Sequence, residues 1–135
     1  GVQHIGVADT IGVGTPLKVA RAIEATLKHY GVDDISGHFH DTYGQALTNV
    51  YAAMERGVAT FDRSVAGLGG CPYAKRATGT VASEDVLYLL DGLGITTGVD
   101  MARLRRAGHF ISDFLKRPPV SRAARALDAR NPLVA

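Results

Sequence analysis

Tryptophan is absent from this 135-residue chain, and four Phe and five Tyr are its only aromatic residues. That scarcity argues against an aromatic-rich binding surface. Cysteine occurs once, as Cys71, so no intrachain disulfide forms and the sequence is not that of a disulfide-built secreted scaffold. No stretch of 18 apolar residues exists, which excludes an apolar membrane-spanning helix, and no membrane partner is expected. A strong excess of one charge is also missing. Fifteen Lys and Arg stand against 13 Asp and Glu, a formal charge of +2, too little for a nucleic-acid binder. Low-complexity segments and flexible linkers are absent as well. What remains is 46% hydrophobic and 21% charged, the balance of a globular chain long enough to bury a core. Residue 1 is Gly rather than Met and the chain opens on an apolar run. It is therefore expected to begin inside a longer sequence, and a targeting peptide could have preceded it.

Three strand–loop–helix units follow one another. Val2 to Ala8 reads as a strand ending at Asp9, followed by a glycine turn and a helix with Thr15 as cap and Pro16 in its first position. Leu17, Ala20, Ile23 and Leu27 keep helical spacing, and Gly31 is the expected stop. Ile35 to His40 reads as a second strand, Tyr43 to Arg56 as a helix, and Val58 to Val65 as a third strand. A glycine-rich loop occupies Ala66 to Gly79. Three helices complete the chain: one capped by Ser83 and running to Leu90, one from Asp100 to about Lys116, and a short one over Arg122–Ala129. Glu84 and Asp85 fall in a first turn, where the helix dipole favours anions. The pattern predicts an α/β fold with a parallel sheet and outer helices. In such folds ligands bind at the carboxyl ends of the strands. Asp9, His38–Asp41 and Ser64–Cys71 all fall there.

His38 and His40 are two residues apart at a strand end, so they share a face and could take adjacent positions on one metal ion. Cys71 closes the run Gly67-Leu-Gly-Gly-Cys-Pro72. A glycine loop is a poor place to bury a hydrophobe, so the thiol reads as a candidate nucleophile or general acid. Gly12-Val-Gly14 reads as a strand-to-helix turn rather than a phosphate cradle, because a lone GxG is weak evidence. Asp9 could contact substrate or act as acid or base, against the plainer role of a turn residue. Asp62 is equally suited to an ion pair and to catalysis, and Asp41 to capping a helix or supporting a ligand. Eight Lys and Arg between Arg103 and Arg130 read as a solvated helix face rather than a cofactor phosphate site.

The run Ser64-Val-Ala-Gly-Leu-Gly-Gly-Cys-Pro-Tyr-Ala74 closely resembles the signature of 3-hydroxy-3-methylglutaryl-CoA (HMG-CoA) lyases. His38-Phe-His-Asp-Thr-Tyr-Gly-Gln-Ala46 is similar to that family's metal-binding strand end, and Asp9-Thr-Ile-Gly-Val-Gly-Thr-Pro16 to its preceding strand end. The resemblance fades after about Lys116. It implies the C-terminal part of a TIM (β/α)8 barrel: about three βα units plus C-terminal helices, incomplete as a closed barrel. Residues 1–117 would form that portion, and 118–135 a tail with a short helix. The implied activity is metal-dependent cleavage of HMG-CoA to acetyl-CoA and acetoacetate, with Mg2+ or Mn2+. His38 and His40 match metal ligands; Cys71, Asp9 and His38 form the implied catalytic set. The implied partners are an acyl-CoA substrate and a second copy of the chain in a homodimer. The implied compartment is the cytoplasm, or the mitochondrial matrix in a eukaryote.

Two features depart from the family pattern. A TIM barrel typically needs about 250 residues. The family's first-strand Arg and Asp and its early Glu have no counterpart here, so the isolated chain is expected to be inactive. Thr80 stands where the family has a metal-ligating Asn, and a hydroxyl is a poorer ligand than an amide carbonyl for a hard cation. Rival readings are a related acyl-CoA synthase or aldolase of the same superfamily, and a truncated non-catalytic homologue.

Overall fold

The computed structural model describes residues 1–71 and 77–132. Strands β1 (Ile5–Asp9), β2 (Ile35–Phe39) and β3 (Thr60–Asp62) form one parallel sheet in the order β1-β2-β3. Neighbouring parallel strands cannot be joined by a tight turn, and helices α1 (Pro16–Thr26) and α2 (Ala46–Met54) supply the crossovers. The register pairs Ala8 with His38 and His38 with Asp62.

One face of the sheet is apolar. Ile35 and Phe39 are buried on β2, as are Val19, Ala20 and Ile23 on α1 and Ala46, Val50 and Ala53 on α2. Burial of a side chain such as Ile23 contributes about 1.5–3 kcal/mol. Between Ile35 and Phe39 lies Gly37, where a Cβ would come within 2.7 Å of the Phe39 ring and 2.9 Å of the Phe61 ring. The missing side chain lets those two rings lie 6.4 Å apart, tilted by 46°. The pleat sends Ser36 and His38 to the opposite face.

The chain divides into two compact units, Gly1–Asp62 with Gly69–Thr80, and Arg63–Leu68 with Val81–Ala135. The first holds the sheet. The second contains α3 (Ser83–Gly92), α4 (Met101–Leu115), α5 (Arg122–Arg130) and a tight turn at Val65–Gly67. Its organisers are two acidic residues. Glu84 is fully buried and accepts the Ala66 backbone N–H on both carboxylate oxygens, at 2.9 and 3.0 Å. Ala66 is left-handed, with φ of 57°. Gly108 of α4 makes room, since a Cβ there would lie 2.8 Å from Glu84 Oε1. Asp85 accepts the Ser121 hydroxyl and the Ala123 N–H, each at 2.7 Å, and so fixes the start of α5. Arg105, also buried, is clamped by Asp128, whose other oxygen meets His109 Nε2 at 2.9 Å. Burial opposes the charge on Asp128, but hydrogen bonds from Arg105 and His109 outweigh it and hold the carboxyl below its ordinary value.

Several boundaries differ from the sequence-based expectation. Strand β1 begins at Ile5 rather than Val2 and includes Asp9. Helix α1 stops at Thr26, and turns in which His29 and Tyr30 both donate to the Thr26 carbonyl lead to Gly31. Leu17 is 61% exposed, because the buried stripe runs through Val19, Ala20 and Ile23 instead. Helix α2 starts at Ala46, not Tyr43, since the Asp41 carboxylate takes the Ala46 N–H at 3.0 Å and sets the entry. Strand β3 has three residues, not eight: Ser64 N–H turns to the Val81 carbonyl at 3.1 Å. Ser83 lies inside α3 and Ala82 caps it, whereas Asp100 caps α4 through the Arg103 N–H at 2.8 Å. Among the described residues no helix is long and apolar enough to cross a membrane.

Burial raises the Glu84 carboxyl above its ordinary value, with Asp85 and Asp128 adding to the rise and backbone N–H groups of Glu84 and Ala66 opposing it. The folded state therefore holds this proton more tightly than the unfolded chain does. The resulting stability is full below the unfolded value and is lost as pH rises through the folded one. Thermal melts from pH 4 to pH 8 should show wild type losing stability relative to Glu84→Gln as pH rises. A constant difference between the two proteins across that range would refute this assignment.

Candidate metal and active site

The carboxyl ends of β1 and β2 bring three predicted residues together. Asp9 ends β1, and its carbonyl accepts the His40 N–H at 3.4 Å. Its carboxylate turns into the following loop, accepting Val13 N–H at 3.1 Å and Gly14 N–H at 2.8 Å. Those amides are the donors a phosphate would have used, so the glycine pair serves an internal turn, as the sequence suggested. Gly14 cannot carry a side chain without strain, since its Cβ would sit 2.8 Å from Asp9 Oδ2. Gly12, at φ of 70°, would press a Cβ to 2.5 Å from Thr42 Oγ1. Asn49, fully buried on α2, donates to the Gly14 carbonyl at 3.2 Å and ties the loop to the helix. The sequence reading missed Asn49; an amide on the otherwise apolar face Ala46, Val50, Ala53 was the available signal.

His38 and His40 share a face, as strand alternation requires. Their Nε2 atoms are 3.1 Å apart and their rings 5.1 Å apart. His38 Nδ1 is 3.1 Å from Asp62 Oδ2, so the ambiguous Asp62 is a histidine partner. Burial first, then the neighbouring His38, pushes the His40 imidazole below the ordinary histidine value; Asp9 and the Thr78 backbone favour its protonated form. His40 Nδ1 is buried. A neutral imidazole is the form that ligates metals. Two imidazole nitrogens bound side by side to one ion lie about 3 Å apart, given bonds of about 2.1 Å. The observed separation fits that chelate. Among the described residues, no group of three or more His, Cys, Asp and Glu comes together around a common centre.

Thr80 lies against the pair. It bridges His40 in antiparallel fashion, and the Gly79 carbonyl accepts the Asp41 N–H at 3.2 Å. Cys71 is half-buried with a free thiol. The loop that follows it, residues 72–76, lies outside the described residues. The structure thus brings Asp9, His38, His40 and Thr80 to one end of the sheet, with Asp62 added.

Parallel strands, crossover helices and polar residues gathered at the carboxyl ends define the class: an α/β segment of the barrel type. The HMGL-like family profile matches residues 1–111, and the chain belongs to that family. It is 58% identical over 130 residues to the 3-hydroxy-3-isohexenylglutaryl-CoA/hydroxymethylglutaryl-CoA lyase of Pseudomonas aeruginosa, covering 96% of this chain and 43% of that protein. A hydroxymethylglutaryl-CoA lyase structure from Pseudomonas aeruginosa superposes with a TM-score of 0.91, at 58% identity, over 95% of this chain and 43% of that one. An HMG-CoA lyase from Acinetobacter baumannii, in complex with coenzyme A and 3-methylmalate, gives a TM-score of 0.86 at 35% identity, over 92% and 41%. The chain therefore spans less than half the length of these relatives.

Gly14→Ala should force the Asp9 carboxylate off the loop. The cost should be about 2 kcal/mol for the charge-assisted bonds lost, with faster hydrogen exchange at the amides of residues 13 and 14. Unchanged protection there would show that Asp9 does not hold this turn.

Proposed function

We propose that this chain forms the histidine-bearing part of a divalent-metal-dependent carbon–carbon lyase acting on HMG-CoA. The observation that carries the reading is the convergence of His38 and His40 Nε2 at the strand end, beside Asp9 and Thr80. The 58% identity to a lyase acting on 3-hydroxy-3-methylglutaryl and 3-hydroxy-3-isohexenylglutaryl thioesters supports it. The preferred ions are Mg2+ and Mn2+.

His38 and His40 would hold the ion, with Thr80 offering its hydroxyl from the adjoining segment. A divalent ion bound there supplies electrostatic stabilisation to substrate oxygens. Asp9 shapes the loop that borders the substrate. Cleavage requires a base to take the 3-hydroxyl proton; the C–C bond breaks, the hydroxyl carbon becomes the ketone of acetoacetate, and the electron pair passes to the α-carbon of the acetyl thioester. Cys71 then donates its thiol proton to that carbon. Residues to complete the site would come from the part of the family barrel that this chain does not span. The 135 residues alone are thus a binding half without turnover. The complete enzyme is read as a homodimer of the cytoplasm, or of the mitochondrial matrix in a eukaryote.

Mn2+ titration followed by electron paramagnetic resonance tests the reading. His38→Ala and His40→Ala should each weaken binding at least tenfold; unchanged affinity would refute the ligand assignment. In the complete enzyme, Cys71→Ser should lower turnover and leave Mn2+ affinity intact, and loss of Mn2+ binding would assign the thiol a structural role instead. Acetoacetate formation by the 135-residue chain would contradict the half-site account.

A further inference from the structure

His38 engages a partner through each ring nitrogen. Nδ1 lies 3.1 Å from Asp62 Oδ2 on the neighbouring strand, and Nε2 lies 3.1 Å from His40 Nε2. Backbone register alone sets the first contact, because His38 and Asp62 are directly paired across β2 and β3. A neutral imidazole carries one proton, so its placement decides which nitrogen keeps a lone pair.

Only one arrangement of two neutral rings satisfies both contacts of His38. With the His38 proton on Nε2, the bare Nδ1 would face a carboxylate oxygen, lone pair against lone pair. His40 would then carry its proton on Nδ1, and its Nε2 would accept from His38. With the His38 proton on Nδ1, it donates to Asp62, and His38 Nε2 accepts the proton that His40 carries on its own Nε2.

We propose that Asp62 is a positioning residue: it holds the His38 proton on Nδ1 and so keeps Nε2 as the lone-pair nitrogen facing His40. It acts through its contact with His38. Asp62 is exposed, with 65% of its side chain open to solvent, so as an ion pair alone it contributes little to stability. Its effect lies in ring orientation and proton placement, which decide whether His38 presents a donor or a ligand. The consequence for metal affinity rests on the lyase reading above, whereas the proton placement does not.

Long-range proton–nitrogen correlation spectra of the protein at pH 8, without metal, test the placement. Wild type should show His38 protonated at Nδ1 and bare at Nε2. In Asp62→Leu the proton should move to Nε2, and Asp62→Asn, whose amide oxygen still accepts, should restore the wild-type form in part. Mn2+ affinity should fall about 10- to 100-fold in Asp62→Leu and less in Asp62→Asn. His38 keeping its proton on Nδ1 in Asp62→Leu, or carrying one on Nε2 in wild type, would overturn the proposal. If the proton moves as expected but wild type binds no Mn2+, the positioning role stands and the metal reading fails. Circular dichroism of each variant reports whether the chain remains folded.

Discussion

The hydrogen-bond register of strand β2 is the constraint on which the site depends. Its backbone is paired on both sides, with Ala8 opposite His38 on one edge and Asp62 opposite His38 on the other. A slip of one residue would turn both histidines to the apolar face and Phe39 to the polar one. Gly37 guards against that slip, because only its bare backbone admits the edges of Phe39 and Phe61. The same packing that buries Phe39 thus fixes the direction of His38 and His40. Asp9 belongs to this arrangement through its backbone, since its carbonyl pairs with His40 while its carboxylate closes the next loop.

The second unit is organised differently. Its centre contains buried charges rather than a glycine and two rings. Glu84 and Asp85 replace backbone partners that a turn and a helix start would otherwise lack. Such groups cost desolvation and offset it by satisfying several donors at once. Removing a carboxylate of this kind strands donors in the interior. The acidic residues at the start of α3 thus satisfy backbone and hydroxyl donors within this unit.

Local patterns in the sequence revealed much of this. The three strand–loop–helix units, Pro16 at the start of α1, the Asp100 cap and the shared face of His38 and His40 all follow from periodicity and capping chemistry. The glycine pair at Gly12 and Gly14 was legible as a turn because no further phosphate motif accompanied it. What stayed hidden depends on distant partners. Asp62 could not be assigned to His38 without the β2–β3 register. Glu84 and Asp85 read only as first-turn anions favoured by the helix dipole, because Ala66, Ser121 and Ala123 are far away in sequence. Strand β3 was read too long for the same reason: Ser64 leaves the sheet to pair with Val81 and Ala82. The position of Thr80 beside His40 is also a long-range pairing that spacing alone does not disclose.

The central claim is that His38 and His40 form one chelating pair. Crystals of the protein grown with Mn2+, measured at the manganese absorption edge, test it most directly. The account predicts a single anomalous peak about 2.2 Å from both Nε2 atoms, as expected for adjacent imidazole ligands. A peak that touches only one of the two rings, or none at either, would contradict it.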